Sequence, residues 1–274
     1  MVPGALRQTA AVAHLRVDFF SEALGLSTSM TVLLPQSTTA GQIGMAGGAR
    51  QGGHPVLYLL HGLSDDDTTW ARRTSIERYA APLGLAVVMP QVHRSFYADE
   101  ARGGRYWTFL SEELPALVAG FFNVSDRRED TFVAGLSMGG YGALKWALRQ
   151  PERFAAAASL SGALDAAARA RAPHLLADMR RILGDDLVLP REDDLLHLVR
   201  DAGARGADLP ALHVACGTED ELLGGNRHFV ATAHDAGVTV TSEFGPGAHD
   251  WAYWDARIAE VLAWLPLRAA GGQG

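Results

Sequence analysis

Thr131-Phe132-Val133-Ala134-Gly135-Leu136-Ser137-Met138-Gly139-Gly140 runs from an uninterrupted apolar segment into a G-x-S-x-G match, and residues 141–148 then have a helical composition. A strand, a sharp turn and a helix in that order turn such a match into a nucleophile elbow, with a serine held in strained backbone and its hydroxyl exposed. A side chain two residues before or after that serine would collide with the turn, which accounts for Gly135 and Gly139. A bare G-x-S-x-G is commonly only a glycine-serine loop, so the flanking strand and helix carry the argument here.

Outward from this segment the chain alternates. Residues 14–20 and 28–34 read as two strands, with Gly25 near the turn between them, and 36–53, rich in Gly, Thr and Ser, reads as a surface loop. Apolar runs follow at Val56–Leu60, 85–89, Thr131–Leu136, 155–160, 212–216 and 238–244. Runs apolar at every position suit strands of a parallel sheet buried on both faces. Helical patterns lie between them. Ile76, Tyr79, Ala80 and Leu83 share a face, as do Leu110, Leu114, Leu117, Val118 and Phe121, while Trp251, Trp254, Ile258, Val261 and Leu265 form the stripe of a last helix. Pro115 inside the second pattern implies a kink or a late helix start. The predicted class is α/β, a mostly parallel central sheet with helices on both faces. Residues 161–209, rich in Ala, Arg and Asp, break the rhythm and are expected to be a small helical cap insertion over the sheet's C-terminal edge, where such folds bind ligands.

Composition bounds the rest. A chain of 274 residues, 48% hydrophobic and 20% charged, fits a single domain over 1–274. Its 24 basic and 31 acidic residues give a net charge of −7, which argues against nucleic acid or an anionic membrane as partner. The one cysteine, Cys216, allows no internal disulfide. The start has no continuous apolar signal segment, and the apolar runs are too short to span a bilayer, so a cytoplasmic location is expected. The ends, 1–9 and 269–274, read as frayed tails.

A serine hydroxyl needs a base within hydrogen-bond reach, and the base needs a carboxylate to orient it. Of ten histidines, His174, His197, His213, His228, His234 and His249 lie downstream of Ser137. Only His249 sits in a Gly/Pro-rich loop, Gly245-Pro246-Gly247-Ala248-His249-Asp250, between a strand and the last helix, where an imidazole can reach over the sheet edge. The preceding strand ends in Gly217-Thr218-Glu219-Asp220. Asp220 is favoured as the orienting acid for its shorter reach, with Glu219 as the alternative and a helix N-cap as the competing role for Asp220. Serine, acid, histidine is one of the known chain orders of such triads. Two backbone amides should hold a developing oxyanion, that of Met138 after the nucleophile and that of Leu63 in the early loop Leu60-His61-Gly62-Leu63-Ser64; His61 itself reads as structural. Asp65-Asp66-Asp67 reads as solvation and helix capping, and no metal or cofactor is expected. Trp70, Phe96, Tyr97, Trp107 and Trp251 are candidate pocket walls, with core packing the equal alternative for each.

Several segments together resemble the tributyrin esterase family, within the esterase D-like group of α/β-hydrolases. They are Leu26-Ser27-Thr28-Ser29-Met30, Tyr58-Leu59-Leu60-His61-Gly62-Leu63-Ser64-Asp65, Arg72-Arg73-Thr74-Ser75-Ile76-Glu77-Arg78-Tyr79, Met89-Pro90-Gln91-Val92-His93-Arg94-Ser95-Phe96-Tyr97, Ser111-Glu112-Glu113-Leu114-Pro115, residues 134–143, and Cys216-Gly217-Thr218-Glu219-Asp220. The resemblance covers about residues 14–265; the stretch 38–53 looks longer than the family's loop there, and the sequence of the expected cap is not distinctive. It implies the α/β-hydrolase fold and a serine carboxylesterase for short acyl chains, with Ser137, Asp220 and His249 as triad and the Leu63 and Met138 amides as oxyanion hole. The implied partner is a small-molecule ester, and a homo-oligomer is left open. Two alternatives stand beside it. One is an S-formylglutathione-type thioesterase or an acetyl or feruloyl esterase of the same group; the other is a catalytically silent binding protein on this fold.

Overall fold

The computed structural model describes residues 11–36 and 53–267; the tails at 1–9 and 269–274, and nearly all of the loop expected over 36–53, lie outside the described residues. Strands β1 (Ala11–Ser21), β2 (Leu26–Gln36), β3 (Val56–Leu60), β4 (Ala86–Pro90), β5 (Thr131–Leu136), β6 (Ala156–Leu160), β7 (Ala211–Gly217) and β8 (Thr241–Gly245) form one sheet in the order β1-β2-β4-β3-β5-β6-β7-β8. Neighbours from β4 to β8 run parallel. The antiparallel hairpin β1-β2, turned through Gly25 at φ +67°, completes the other edge.

Because side chains alternate across a strand, each strand feeds two cores. In β3, Val56, Tyr58 and Leu60 face helices α4 (Leu114–Phe121), α5 (Met138–Arg149), α8 (Leu195–Arg205) and α9 (Leu223–Asp235). Leu57 and Leu59 face α1 (Thr69–Arg73), α2 (Ile76–Ala80) and α10 (Trp251–Trp264). The shorter helices α3 (Tyr106–Thr108), α6 (Ala166–Arg169) and α7 (Leu176–Leu183) lie between strands β4 and β5 and between β6 and β7. Trp146 of α5 is wholly buried on the first face between Tyr58 and Phe154, at ring separations of 5.1 and 5.0 Å. Truncating such a side chain typically costs about 3–5 kcal/mol.

Three local readings are refined. β8 is shorter than 238–244 and half exposed, because it is an outer strand paired only with β7 among the described residues; Thr241, Ser242 and Glu243 reach solvent. Pro115 does not start a separate helix: the helical backbone runs on from Tyr106, and the proline, the second residue of α4, follows directly on a wider turn. The preceding turns, Phe109–Glu113, are π-helical. Within 161–209, α8 packs on α5 and α9 in the layer flanking the sheet, and the residues before it reach the sheet's rim. Among the described residues no helix is long and apolar enough to cross a membrane.

Parallel strands put their carboxyl ends on one rim, so the loops leaving β3, β4, β5, β7 and β8 converge. A mostly parallel sheet with an antiparallel hairpin at one edge, helices on both faces and a serine turn after a central strand is the α/β-hydrolase fold.

Candidate active site

Ser137 closes β5 and opens α5 with φ 52° and ψ −116°, a region that non-glycine residues occupy at a cost of about 1–3 kcal/mol. Its amide donates to Leu160 O at 2.9 Å, tying the turn to β6. The glycines around it are sterically required. A Cβ on Gly135 would lie 2.4 Å from the Gly139 backbone, and one on Gly139 would lie 2.2 Å from Leu60 O. Met138 is the first residue of α5, so its amide has no acceptor within the helix.

The loop after β8 brings His249 Nε2 to 3.1 Å from Ser137 Oγ, while His249 Nδ1 lies 2.9 Å from Asp220 Oδ2. Asp220 is buried, and its other oxygen accepts the Leu222 amide at 2.8 Å, so one carboxylate both caps the turn before α9 and faces the imidazole. Burial works to raise its pKa, but the hydrogen bonds from His249, the Leu222 amide and Ser161 outweigh this and hold the carboxyl below its ordinary range. With Asp220 ionised, Nδ1 carries the imidazole proton and Nε2 presents a lone pair to Ser137 Oγ. The neighbouring carboxylate does something else. Glu219 Oε2 accepts the Gly247 amide at 3.0 Å, while the Glu219 amide donates to Gly247 O at 2.9 Å, clamping the His249 loop to the end of β7.

On the opposite side, the loop after β3 is ordered by its own polar groups. Gly62 donates to Asp65 Oδ2 at 3.1 Å, and Gly62 O accepts the Asp65 amide at 3.3 Å. His61 is wholly buried: Nε2 accepts the Val92 amide at 3.1 Å, which leaves Nδ1–H to donate to Gly62 O at 2.7 Å. Burial lowers its pKa, so the imidazole is neutral and structural. The amides of Leu63 and Met138 have no hydrogen-bond partner among the described residues, and both residues line the cavity that Ser137 and His249 enter. The three aspartates diverge. Asp66 accepts from Thr68, Thr69 and Arg72, and these donors hold its carboxyl below the ordinary range against the effect of partial burial. Asp67 is not solvated as expected: it is buried and takes the hydroxyls of Ser29 and Thr31 from the neighbouring β2.

The cavity, about 460 Å³, is walled by Phe96, Leu136, Leu175, Leu222, Trp251 and Trp254, with Arg169 and Glu221 paired at its margin. Two of the five aromatics read as walls, Phe96 and Trp251, are there. The other three are placed elsewhere by packing. Trp70 is buried behind Trp251, edge-on at 5.5 Å, with its indole N–H on Leu60 O. Tyr97 is wholly buried beneath the site, and Trp107 lies under the cations of Arg149 and Lys145 at 4.1 and 4.8 Å. The wall that sequence reading missed is Trp254, whose ring stands perpendicular to His249 at 4.9 Å. Its position three residues after Trp251 on the last helix was the available signal.

A family model described as "Putative esterase" matches residues 21–265. The chain belongs to this esterase family. The esterase is 28% identical over 263 residues to an acetyl esterase of Caldicellulosiruptor saccharolyticus, covering 93% of this chain and 98% of that one. Its structure is similar to the substrate-bound fluorophosphonate-binding serine hydrolase F of Staphylococcus aureus, at 35% identity and TM-score 0.83, covering 93% and 98% of the two chains. It is equally similar to an S-formylglutathione hydrolase of the same organism, at 34% identity and TM-score 0.82, covering 93% and 99%. The esterase is therefore a carboxylic ester hydrolase of the serine hydrolase type.

Proposed function

We propose that the esterase hydrolyses short-chain acyl esters through an acyl-enzyme on Ser137, with His249 as base and acid, Asp220 as its orienting carboxylate, and the Leu63 and Met138 amides as oxyanion hole. The continuous hydrogen-bonded line from Asp220 through His249 to Ser137 carries this reading. As Ser137 Oγ attacks the ester carbonyl, its proton passes to His249 Nε2, and Asp220 stabilises the imidazolium. The carbonyl oxygen becomes an oxyanion held by the two free amides, each typically worth about 3–4 kcal/mol. The tetrahedral species collapses, the C–O bond to the alcohol breaks, and His249 returns the proton to the leaving oxygen. Water then attacks the acyl-enzyme by the same route and restores the serine. Every step uses side chains and amides of the chain itself.

The apolar walls Phe96, Leu175, Leu222, Trp251 and Trp254 support a short acyl chain in the cavity. Residues 161–209 act in this reading as a cap within a single domain, Ala163, Arg169, His174 and Leu175 being its contribution to the wall. The single buried cysteine suits the cytoplasm, and the partner is a small-molecule ester. A second reading, thioester hydrolysis of the S-formylglutathione type, is favoured by the similarity to the staphylococcal hydrolase of that name.

Initial rates on p-nitrophenyl esters from acetate to octanoate, beside Ser137→Ala, test the proposal. A steep fall beyond butyrate or hexanoate with the variant at background is expected. A variant as active as the wild type would overturn the elbow assignment, and rates confined to thioesters would move the reading to the second one.

A further inference from the structure

Tyr97 has no place on the cavity wall, yet it is among the most constrained residues of the fold. Its side chain is wholly buried, and it sits with Phe96 at positive φ, 51° and 48°, where bulky residues are genuine outliers. Its amide donates to Ser95 Oγ at 3.1 Å, and its carbonyl accepts Lys145 Nζ at 3.0 Å. Its hydroxyl donates to His61 O at 2.8 Å. The ring lies so close to α5 that a Cβ on Gly142 would come within 2.5 Å of it. Gly142 and Lys145, three residues apart, share a face of α5, and both meet Tyr97.

The helix that Tyr97 touches begins with Met138, and the carbonyl it binds lies two residues before Leu63. Resting on the catalytic reading above, we infer that Tyr97 is a positioning residue that fixes the Leu63 amide relative to the Met138 amide by fastening the His61 carbonyl to helix α5. Lys145 is the far anchor of this strut. Its ammonium is fully buried, paired with Asp193 Oδ1 at 2.6 Å, and Arg149 and the Tyr141 hydroxyl converge on the same Asp193. That network makes the Tyr97 carbonyl a fixed point on α5. Gly139 abuts the His61 carbonyl from the elbow side, so the loop after β3 is held between two points of the same helix. Burial, joined by nearby Asp65, pushes the phenol well above its ordinary pKa, so it keeps the proton it donates. The oxyanion exists only on the way to and from the tetrahedral species, so slack between the two amides raises the barrier without weakening substrate binding.

Tyr97→Phe keeps the ring against Gly142 and removes only the hydroxyl. The test measures kcat per active site titrated with a fluorophosphonate, KM for p-nitrophenyl acetate, and Kd for n-butylboronic acid, which forms a tetrahedral adduct on a serine Oγ. The expected result is a fall in kcat of roughly 10–100-fold, the scale of a small misplacement in a reacting geometry. KM stays within about twofold of wild type, and the boronate Kd rises by the same factor as kcat falls. Lys145→Met should show the same signature at smaller amplitude, and it decides the matter alone if Tyr97→Phe does not fold. A kcat per titrated site within about twofold of wild type, or a fall in kcat without weaker boronate binding, overturns the inference. A wild type that neither takes the fluorophosphonate nor hydrolyses the ester sinks the catalytic reading itself, before any variant is made.

Discussion

Ser137 after β5 and the pair Phe96-Tyr97 after β4 are all non-glycine residues held at positive φ beside the candidate site. They are stabilised in different ways. At Ser137 the room is made locally, by Gly135 and Gly139, which clear the space that the turn needs. At Phe96-Tyr97 no glycine intervenes, and the compensation comes from Ser95, from Lys145 on a distant helix, and from the His61 carbonyl. Strain relieved by neighbours in sequence leaves a motif. Strain relieved by tertiary partners leaves only ordinary-looking residues.

The contrast can be broken most forcefully at the serine. Ser137→Gly removes the proposed nucleophile and relaxes the positive φ together, so kcat/KM on p-nitrophenyl acetate should fall by about 10⁴–10⁶. The thermal unfolding temperature should rise at the same time, because glycine adopts this backbone conformation without strain. A variant that lost activity and stability together would show that the turn is not strained. Next in size is Gly139→Ala, whose methyl would meet backbone that cannot give way; a loss of about 3 kcal/mol in denaturant unfolding is expected. Unchanged stability there would remove the local half of the comparison.

The distant half is sharpened by Lys145. Burial lowers its pKa from 10.5 to about 8, the pairing with Asp193 notwithstanding. Between those values the unfolded chain holds a proton that the folded chain has released, so this group's contribution to stability grows as pH rises through the window. Below about 8 both states are protonated and the cost of the buried charge is fully present. The unfolding free energy of wild type should therefore climb relative to that of Lys145→Met from about pH 8 upward, and parallel pH profiles would refute the buried-cation account. Smallest of all, Glu219→Gln keeps an acceptor for the Gly247 amide and should change kcat/KM only a few-fold. Asp220→Asn, which cannot hold the same imidazole tautomer, should lose about 10⁴. Reversed magnitudes would exchange the parts assigned to the two adjacent carboxylates.

This difference also describes what could be read in advance. β3 and β5 match their apolar runs residue for residue, because a strand covered on both faces is apolar almost throughout, with Thr131 at the start of β5 the polar exception. β8 was read from 238 because Val238 and Val240 pack against the core before the ladder with β7 begins at Thr241. Ser137, His249 and Asp220 were legible through the glycines and loops that deliver them, and the structure brings their side chains together. Trp70, Tyr97 and Trp107 were not separable from Phe96 and Trp251, since an aromatic beside a catalytic loop looks alike in sequence whether it faces the cavity or the core. Asp67 shows the same limit with a charge: its partners, Ser29 and Thr31, lie on a strand nearly forty positions away.

Cys216 lies in β7 close to Asp220, and burial raises its thiol to about pKa 12. Around pH 8 it therefore holds almost no thiolate and should resist maleimides. Since the chain has no second cysteine, one introduced at Val188, a 66% exposed position just after α7, would be the sole reactive thiol of the native protein. A fluorophore or spin label could then be attached at that one exposed position without a cysteine-free background and without disturbing the buried thiol of β7.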